Sequence, residues 1–266
     1  MILNAITWNV NPEIFSLGSF AVRWYGLLFA LGFVFGYIIM TKIFKIEKIP
    51  QKTLDTLTTY MVVGTVVGAR LGHCLFYEPA YYLSNPIRIL KVWEGGLASH
   101  GAAIGIIIAL IIFSRKEKKA FLWTMDRIVI VVALAGFFIR MGNLMNSEIY
   151  GIETTLPWGF VFVRWGETVA KHPTQIYEGL SYLLIFILIY NIYLKKTSKL
   201  NHGYLFGIFL VLLFTVRFFI EFIKEPQVGF EENMILNMGQ ILSIPFILLG
   251  IYMLYYSKTK GVITKK

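Results

Sequence analysis

Long runs of apolar residues alternate with short polar connections along this chain, and the pattern predicts helices that cross a membrane. A helix needs about 20 mostly apolar residues to span the hydrocarbon core of a bilayer. The third predicted segment is short for a span, so we expect it to start earlier, near Trp93, with a broken or re-entrant approach. The seven segments are residues 20–40, 57–76, 100–113, 128–145, 174–194, 204–223 and 235–256.

The composition strengthens this interpretation. Of the 266 residues, 57% are hydrophobic and 15% are charged, and the mean hydropathy is +0.66. A soluble domain has about 45–50% apolar and about 25% charged residues, so the composition argues against a soluble domain and against a disordered chain. We therefore predict an all-α membrane protein with seven transmembrane helices, organised as a single integral membrane domain over residues 1–266.

Lysine and arginine residues concentrate in alternate connections, at 42–52, 115–119, 195–199 and 258–266. Basic loops of membrane proteins stay on the cytoplasmic side. The bias predicts an N-terminus outside the cell and a C-terminus in the cytoplasm, as an odd number of spans requires. It also accounts for the net charge of +10, so we expect no nucleic-acid partner.

The longest connection on the predicted outer side covers residues 146–172 and separates the fourth and fifth spans. Its glycine and proline residues stand among the aromatic side chains of Trp158, Phe160, Phe162 and Trp165. Aromatic residues favour the interface between membrane and water. We expect a small folded extracytoplasmic cap at this position.

Costly polar side chains recur near the outer ends of the predicted spans. An arginine at mid-bilayer costs about 2.5–3.5 kcal/mol on insertion scales, so such residues suggest a function. The planar guanidinium forms two parallel hydrogen bonds to a phosphate. Several arginines at one depth therefore predict a bound anion at the level of lipid phosphate and glycerol. The layer consists of Arg23, Arg70, Arg140 and Arg217, with Gln175 and Glu178.

The residues that follow Arg140 supply further groups for such a ligand. Asn143 and Asn146 lie one turn apart and offer both donors and acceptors. Glu148 is placed either to hold Arg140 or to bind a hydroxyl group, and Gly151 permits a close backbone approach.

Four residues from other spans complete the candidate site. Arg217 and Glu221 are spaced i, i+4 on one helix face and are expected to pair. Tyr25 opens the first span and is a donor for a phosphate or glycerol oxygen. His100 opens the third span within a glycine-rich stretch, and histidine takes up a proton near neutral pH.

The motifs of metalloproteases, serine hydrolases and P-loop proteins do not occur in the chain. The acidic residues are not spaced as a metal cage either. We therefore expect no metal ion and no other cofactor.

These motifs together resemble those of the prolipoprotein diacylglyceryl transferase family, over nearly the whole chain. The most specific one reads Arg-x-Gly-Asn-x-x-Asn-x-Glu-x-x-Gly and runs from Arg140 to Gly151. The other pieces are Arg-Trp-Tyr-Gly at 23–26, Gly-Ala-Arg-Leu-Gly at 68–72, the glycines around His100 at 95–105, His-Pro-Thr-Gln-Ile-Tyr-Glu at 172–178, and Arg217 with Glu221.

The resemblance implies a multi-pass enzyme of the bacterial plasma (inner) membrane, with its active site toward the extracytoplasmic leaflet. Such an enzyme transfers the diacylglyceryl group of phosphatidylglycerol to the thiol of the lipobox cysteine in a prolipoprotein and releases glycerol phosphate. This reaction is the first step of lipoprotein maturation. The expected partners are phosphatidylglycerol, the prolipoprotein signal peptide with its lipobox cysteine, and the lipid bilayer.

The candidate residues take roles under this resemblance. His100, Arg140 and Arg217 are the expected catalytic residues, with His100 as proton acceptor and Glu148 or Tyr25 as alternatives to it. The residues expected to bind phosphatidylglycerol are Tyr25, Arg140, Asn143, Asn146, Glu148, Gly151, Arg217 and Glu221.

A transporter or flippase for an anionic lipid or metabolite is the alternative. That class needs polar residues that continue into the cytoplasmic half, and it often has an inverted repeat. The second, fourth and sixth segments instead become apolar in that direction. A non-catalytic scaffold is a third class, against which the costly arginines argue.

Overall fold

A computed structural model describes residues 5–18, 20–197, 200–226, 229, 231 and 234–260. Lys199 and the basic residues after Lys260, which contribute to the charge pattern, lie outside the described residues. The helices are α1 (Trp24–Ile46), α2 (Gln51–Phe76), α3 (Pro79–Ser84), α4 (Ser99–Lys116), α5 (Phe121–Met145), α6 (Thr174–Lys196), α7 (Tyr204–Ile220) and α8 (Met238–Thr259). Four short strands are β1 (Ile6–Trp8), β2 (Glu13–Leu17), β3 (Phe20–Arg23) and β4 (Phe160–Phe162).

Seven of the described helices, all except α3, are long and apolar enough to cross a bilayer. A helix satisfies its backbone hydrogen bonds internally, which is why apolar segments of this length adopt it in lipid. The predicted all-α membrane fold with seven spans is confirmed.

The helix boundaries differ from the predicted segments where the chain is polar. α2 begins at Gln51 rather than at 57, and α5 begins at Phe121 rather than at 128. α2 begins with the polar residues Gln51 and Lys52, and α5 begins before Asp126 and Arg127, so an apolar pattern does not detect these starts. At the other end of the first span, residues 20–23 form β3, so α1 begins only at Trp24. α4 begins at Ser99 and not near Trp93, so the predicted earlier start is wrong, and the helix instead continues to Lys116. The predicted broken approach is present, with short 3-10 turns at Pro86–Leu90 and Val92–Glu94.

Met40–Met125 forms one of two compact units. Within it α2 and α4 pack along glycines, and a Cβ placed on Gly64 would lie 2.8 Å from the carbonyl oxygen of Gly105. Small residues let helix backbones approach closely in lipid, where dispersion contacts rather than the hydrophobic effect hold helices together. This close packing fixes α4, which carries His100 at its start.

The other unit consists of the residues up to Ile39 together with those from Asp126 onward. It contains α6, α7 and α8 and most of α1 and α5. Asp126 is fully buried and accepts hydrogen bonds from the backbone N–H groups of Gly203, at 2.7 Å, and Phe206, at 2.9 Å. A side chain of α5 thus caps the free N–H groups at the start of α7.

Residues 146–172 join a small sheet built from distant parts of the chain. β1 pairs in parallel with β4, and antiparallel bridges join Lys171 to Phe160 and to Glu153. A further bridge joins Gly151 to Lys224, in the segment that follows α7. The cap is therefore tied both to the N-terminal strand and to the end of α7.

Candidate functional site

Hydrogen bonds connect the predicted residues at the end of α5 and in the loop after it. Arg140 Nη1 donates to Asn143 Oδ1 at 3.1 Å, and Asn143 Nδ2 donates to Glu148 Oε1 at 2.7 Å. Asn146 Nδ2 donates to the same oxygen at 3.3 Å. The positive φ of Ser147, 57°, turns the chain so that Glu148 follows the helix end directly. Glu148 therefore reaches Arg140 through the Asn143 amide, which is both acceptor and donor.

A chain of ion pairs links Arg140 on α5 to Arg217 on α7. Arg140 Nε lies 2.7 Å from Glu178 Oε2. Lys224 Nζ contacts Glu178 Oε1 at 3.0 Å and Glu221 Oε1 at 2.9 Å. Glu221 Oε1 lies 3.4 Å from Arg217 Nε, the pair that the i, i+4 spacing predicts. We call these five residues the charge network.

The burial of the charge network argues for a ligand. The Glu178 side chain is 0% exposed and that of Lys224 is 2% exposed, whereas that of Arg217 is 34% exposed. Removing charges from water costs several kcal/mol per ion, so stability is a weak reason for such a network. Within these five residues three cations contact two carboxylates, and Glu148 adds a third negative charge that reaches Arg140 through Asn143. Among the described residues the terminal nitrogens of Arg217 have no hydrogen-bond partner, and this side chain is the exposed end of the network, so it can meet an anion.

Tyr25 lies beside this network at the start of α1. A Cβ placed on Gly142 would lie 2.8 Å from Tyr25 Cδ2, so the glycine lets the ring pack against α5. The charges of Glu148 and Arg140 both act on the phenol. The structure thus brings Tyr25 together with the residues at the end of α5.

Gly151 makes a close approach to the protein's own backbone. A Cβ at this position would collide with the Ile223 carbonyl oxygen and lie 2.8 Å from His172 Cβ. Its N–H donates to the His172 carbonyl at 2.8 Å. The absence of a side chain therefore serves to pack the cap against the segment after α7.

The guanidinium of Arg70 is occupied within its own compact unit, so these contacts do not support its assignment to the anion layer. It lies in the Met40–Met125 unit and is 2% exposed. Its guanidinium donates to the carbonyl oxygens of Arg88, at 2.5 Å, and Ile89, at 3.0 Å, and to those of Gly95 and Gly96. The main chain before α4 occupies these donors, so Arg70 holds that segment in place.

The other members of the predicted layer divide by role. Arg23 is an exposed residue of β3 that pairs with Glu13 on β2 at 3.3 Å. Gln175 is fully buried, and its Nε2 donates to the Glu148 carbonyl at 2.7 Å. Arg140 and Arg217 belong to the charge network, whereas Arg23 of the same unit pairs with Glu13.

His100 is the second residue of α4 and is exposed. It lies in the Met40–Met125 unit, and within that unit its side chain has no hydrogen bond to a described residue. Its role as proton acceptor stays a prediction.

Sequence reasoning missed Lys224, the central cation of the charge network. It directly follows the sixth predicted apolar segment, residues 204–223, where a lysine is typical of an exposed connection. Its spacing of i+3 from Glu221 was the available signal, since residues three apart on a helical turn are neighbours. No spacing signal connects it to Glu178, which is 46 residues away.

A family model for prolipoprotein diacylglyceryl transferase matches residues 12–256. This chain belongs to the prolipoprotein diacylglyceryl transferase family. A phosphatidylglycerol–prolipoprotein diacylglyceryl transferase from Tolumonas auensis is 50% identical over 251 residues, which cover 94% of this chain and 96% of that protein. Proteins of the same name from Porphyromonas gingivalis and Bacteroides fragilis are 48% and 44% identical, over 98% of this chain and 97% and 99% of their own lengths.

The match to the transferase family includes the whole charge network, together with Tyr25 and His100. It extends across both compact units, so family membership does not depend on one of them.

Proposed function

We propose that this protein transfers the diacylglyceryl group of phosphatidylglycerol to the thiol of a lipobox cysteine in prolipoproteins and releases glycerol phosphate. Family membership supports a transferase, and the names of the relatives supply the lipid and the prolipoprotein. The observation that carries the proposal in this chain is the charge network, which joins two arginines through buried carboxylates.

Arg140 and Arg217 bind the phosphate in this proposal. Glu178 and Asn143 hold the Arg140 guanidinium at two of its nitrogens, so little side-chain freedom remains to be lost on binding. Glu221 orients Arg217 from one side and leaves its outer edge accessible. The fork geometry of each guanidinium suits the two oxygens of a phosphodiester.

The remaining predicted residues position the glycerol headgroup. Asn146 and Glu148 offer a donor and an acceptor for hydroxyl groups, and Tyr25 offers a phenol at the same level. Gly151 acts indirectly, by allowing the cap to pack over this site.

The chemical step is a displacement at carbon. The cysteine sulfur attacks the glycerol methylene next to the phosphate, an S–C bond forms, and the C–O bond breaks. The bonding pair leaves on the phosphate oxygen, whose negative charge grows, so both arginines stabilise the transition state more than the bound lipid. The thiol has an ordinary pKa of about 8.5 and needs a proton acceptor. We assign that role to His100, with Glu148 and Tyr25 as the alternatives.

The location follows from the charge pattern and from the substrates. The basic connections support a location of the charge network and the cap at the extracytoplasmic leaflet of the plasma membrane. Both the lipid and the signal peptide reach the site within the bilayer, so the site opens sideways to lipid.

The test is incubation of the purified protein with phosphatidylglycerol and a synthetic lipobox peptide, followed by mass spectrometry. We expect a peptide that carries one diacylglyceryl group in thioether linkage, and no product from a peptide with serine in place of cysteine. Arg140→Ala should reduce the rate by at least about a hundredfold. Full activity of that variant rejects its role.

Two further outcomes discriminate between alternatives. A His100→Gln variant with near-normal turnover excludes histidine as the proton acceptor. Movement of phosphatidylglycerol between leaflets of a vesicle without any lipidated peptide would favour a flippase, which none of the relatives' names supports.

A further inference from the structure

Lys171 is a buried cation of the cap, away from the residues that meet the substrate in the proposed reaction. Its side chain is 9% exposed and lies among three carboxylates. Lys171 Nζ is 2.5 Å from Glu225 Oε1, 3.5 Å from Glu167 Oε2 and 3.8 Å from Glu153 Oε1. Burial alone lowers the pKa of Lys171, but the hydrogen bond to Glu225 and the neighbouring carboxylates outweigh it, so the pKa is raised. The amine is therefore charged at neutral pH.

Glu225 is the residue next to Lys224 in the chain. Lys224 has extended backbone angles, φ −86° and ψ 148°. Successive side chains of an extended chain point to opposite sides. Glu225 consequently reaches Lys171 in the cap, while Lys224 reaches Glu178 and Glu221 in the charge network.

Backbone hydrogen bonds hold the same segment against the cap. Ile152 N–H donates to the Ile223 carbonyl at 2.9 Å, and Glu225 N–H approaches the Tyr150 carbonyl at 3.4 Å. The second bond is long, so the backbone alone holds Glu225 weakly. The ion pair between Lys171 and Glu225 is the stronger restraint at this point.

We propose that Lys171 is a positioning residue for phosphate binding: through Glu225 it fixes the segment that presents Lys224 to both carboxylates of the charge network. When this restraint is lost, Lys224 withdraws from Glu178 and Glu221, and these carboxylates no longer hold Arg140 and Arg217 in register. The use of phosphatidylglycerol in this inference rests on the proposed function. The mechanical link from Lys171 to Lys224 does not.

The first test is independent of activity. Hydrogen–deuterium exchange of the purified protein follows the amides of residues 221–226 in the wild type, in Lys171→Met and in Glu225→Gln. Arg164→Met is the matched control, because Arg164 is an exposed cation of the same cap with no ion pair among the described residues. We expect exchange of this segment to increase at least about tenfold in both test variants and to stay unchanged in the control. Unchanged exchange in Lys171→Met and Glu225→Gln overturns the proposal.

The second test separates positioning from a general effect on folding. With lipobox peptide in excess, Lys171→Met should raise the KM for phosphatidylglycerol by about tenfold to a hundredfold, while kcat per folded molecule changes less. Lys171→Arg keeps the charge and should restore most of the KM. A merely structural residue would lower the folded fraction and leave the KM of the folded protein unchanged, and that result also overturns the proposal. If the wild type itself forms no lipidated peptide, the proposed function fails, whereas the exchange experiment still decides the link between Lys171 and Lys224.

Discussion

Arg140 Nε lies 2.7 Å from Oε2 of Glu178, a carboxylate on the neighbouring helix α6 that is completely buried. Glu178 also contacts Lys224, so one carboxylate holds two cations. An arginine that is fixed in this way presents its remaining nitrogens in one orientation, which favours recognition of a phosphate.

Replacing Glu178 by Gln should be costly for both stability and activity. The amide keeps the shape but leaves Arg140 and Lys224 without their shared counter-ion, and an unpaired buried charge costs about 3–5 kcal/mol. Thermal unfolding in detergent and initial rates of peptide lipidation measure the two effects. Glu13→Gln removes a carboxylate from a partly exposed pair with Arg23 and should change stability by less than about 1 kcal/mol. Similar behaviour of both variants would contradict this account of Glu178.

Asn143→Asp should inactivate the protein, although it only replaces the side-chain amide nitrogen by an oxygen. The amide accepts from Arg140 and donates to Glu148, at 3.1 Å and 2.7 Å. An aspartate retains the first contact but places a carboxylate against Glu148, so that Glu148 turns away. We expect a loss of at least about a hundredfold in kcat/KM, and Asn143→Ala should be no worse than Asn143→Asp. Wild-type kinetics in Asn143→Asp would exclude the bridging role.

Arg70→Lys and Arg217→Lys should separate structure from function. Lysine lacks the planar fork, so Arg70→Lys leaves buried carbonyl oxygens before α4 without donors, at about 1–3 kcal/mol for each group. We expect a lower melting temperature and an unchanged KM for phosphatidylglycerol. Arg217→Lys should show the reverse, since Arg217 is partly exposed and is the residue that we propose binds the phosphate. A raised KM in Arg70→Lys with full stability would return Arg70 to the binding site.

Gly151→Ala should be far more damaging than Gly26→Ala. An added Cβ at Gly151 collides with the Ile223 carbonyl oxygen, whereas nothing lies within 4 Å of a Cβ on Gly26. The first change should cost about 1–3 kcal/mol, as overpacking does. The second should be neutral or stabilising by up to about 1 kcal/mol, because alanine is the better helix former. Melting temperatures of the two variants give the comparison, and equal values would refute the close approach.

His172 should make the stability depend on pH. Burial lowers the pKa of His172 below its ordinary value of 6.5. As the pH falls through 6.5, His172 takes up a proton in the unfolded chain before it does so in the folded one. Its contribution to the free energy of unfolding is therefore fully present above pH 6.5 and is lost as the pH falls below that value. The melting temperature of the wild type should fall more between pH 7.5 and about pH 5 than that of His172→Gln. His202, whose pKa burial also lowers, is present in both proteins and cancels in the comparison. If the melting temperature of His172→Gln fell more than that of the wild type, the lowered pKa assigned to His172 would be wrong.

The sequence by itself determined the fold class and one ion pair of the charge network. Uninterrupted apolar stretches leave a helix as the only way to satisfy the backbone in lipid, so the seven spans follow from composition and length. The pairing of Arg217 with Glu221 follows equally from spacing, because neighbours four residues apart on a helix must lie on one face.

Only the tertiary structure decided which arginines are linked by shared ion-pair partners. Arg70 and Arg140 look alike in the sequence, because both lie near the ends of apolar helices. Arg70 nevertheless donates hydrogen bonds to backbone carbonyls, whereas Arg140 forms an ion pair with Glu178. Lys224 joins Glu178 across 46 positions because the cap binds the segment after α7 and turns it inward. Local patterns encode which face of a helix is polar, whereas the partner of a buried charge depends on which distant segments pack beside it, and that information arises only when the chain folds.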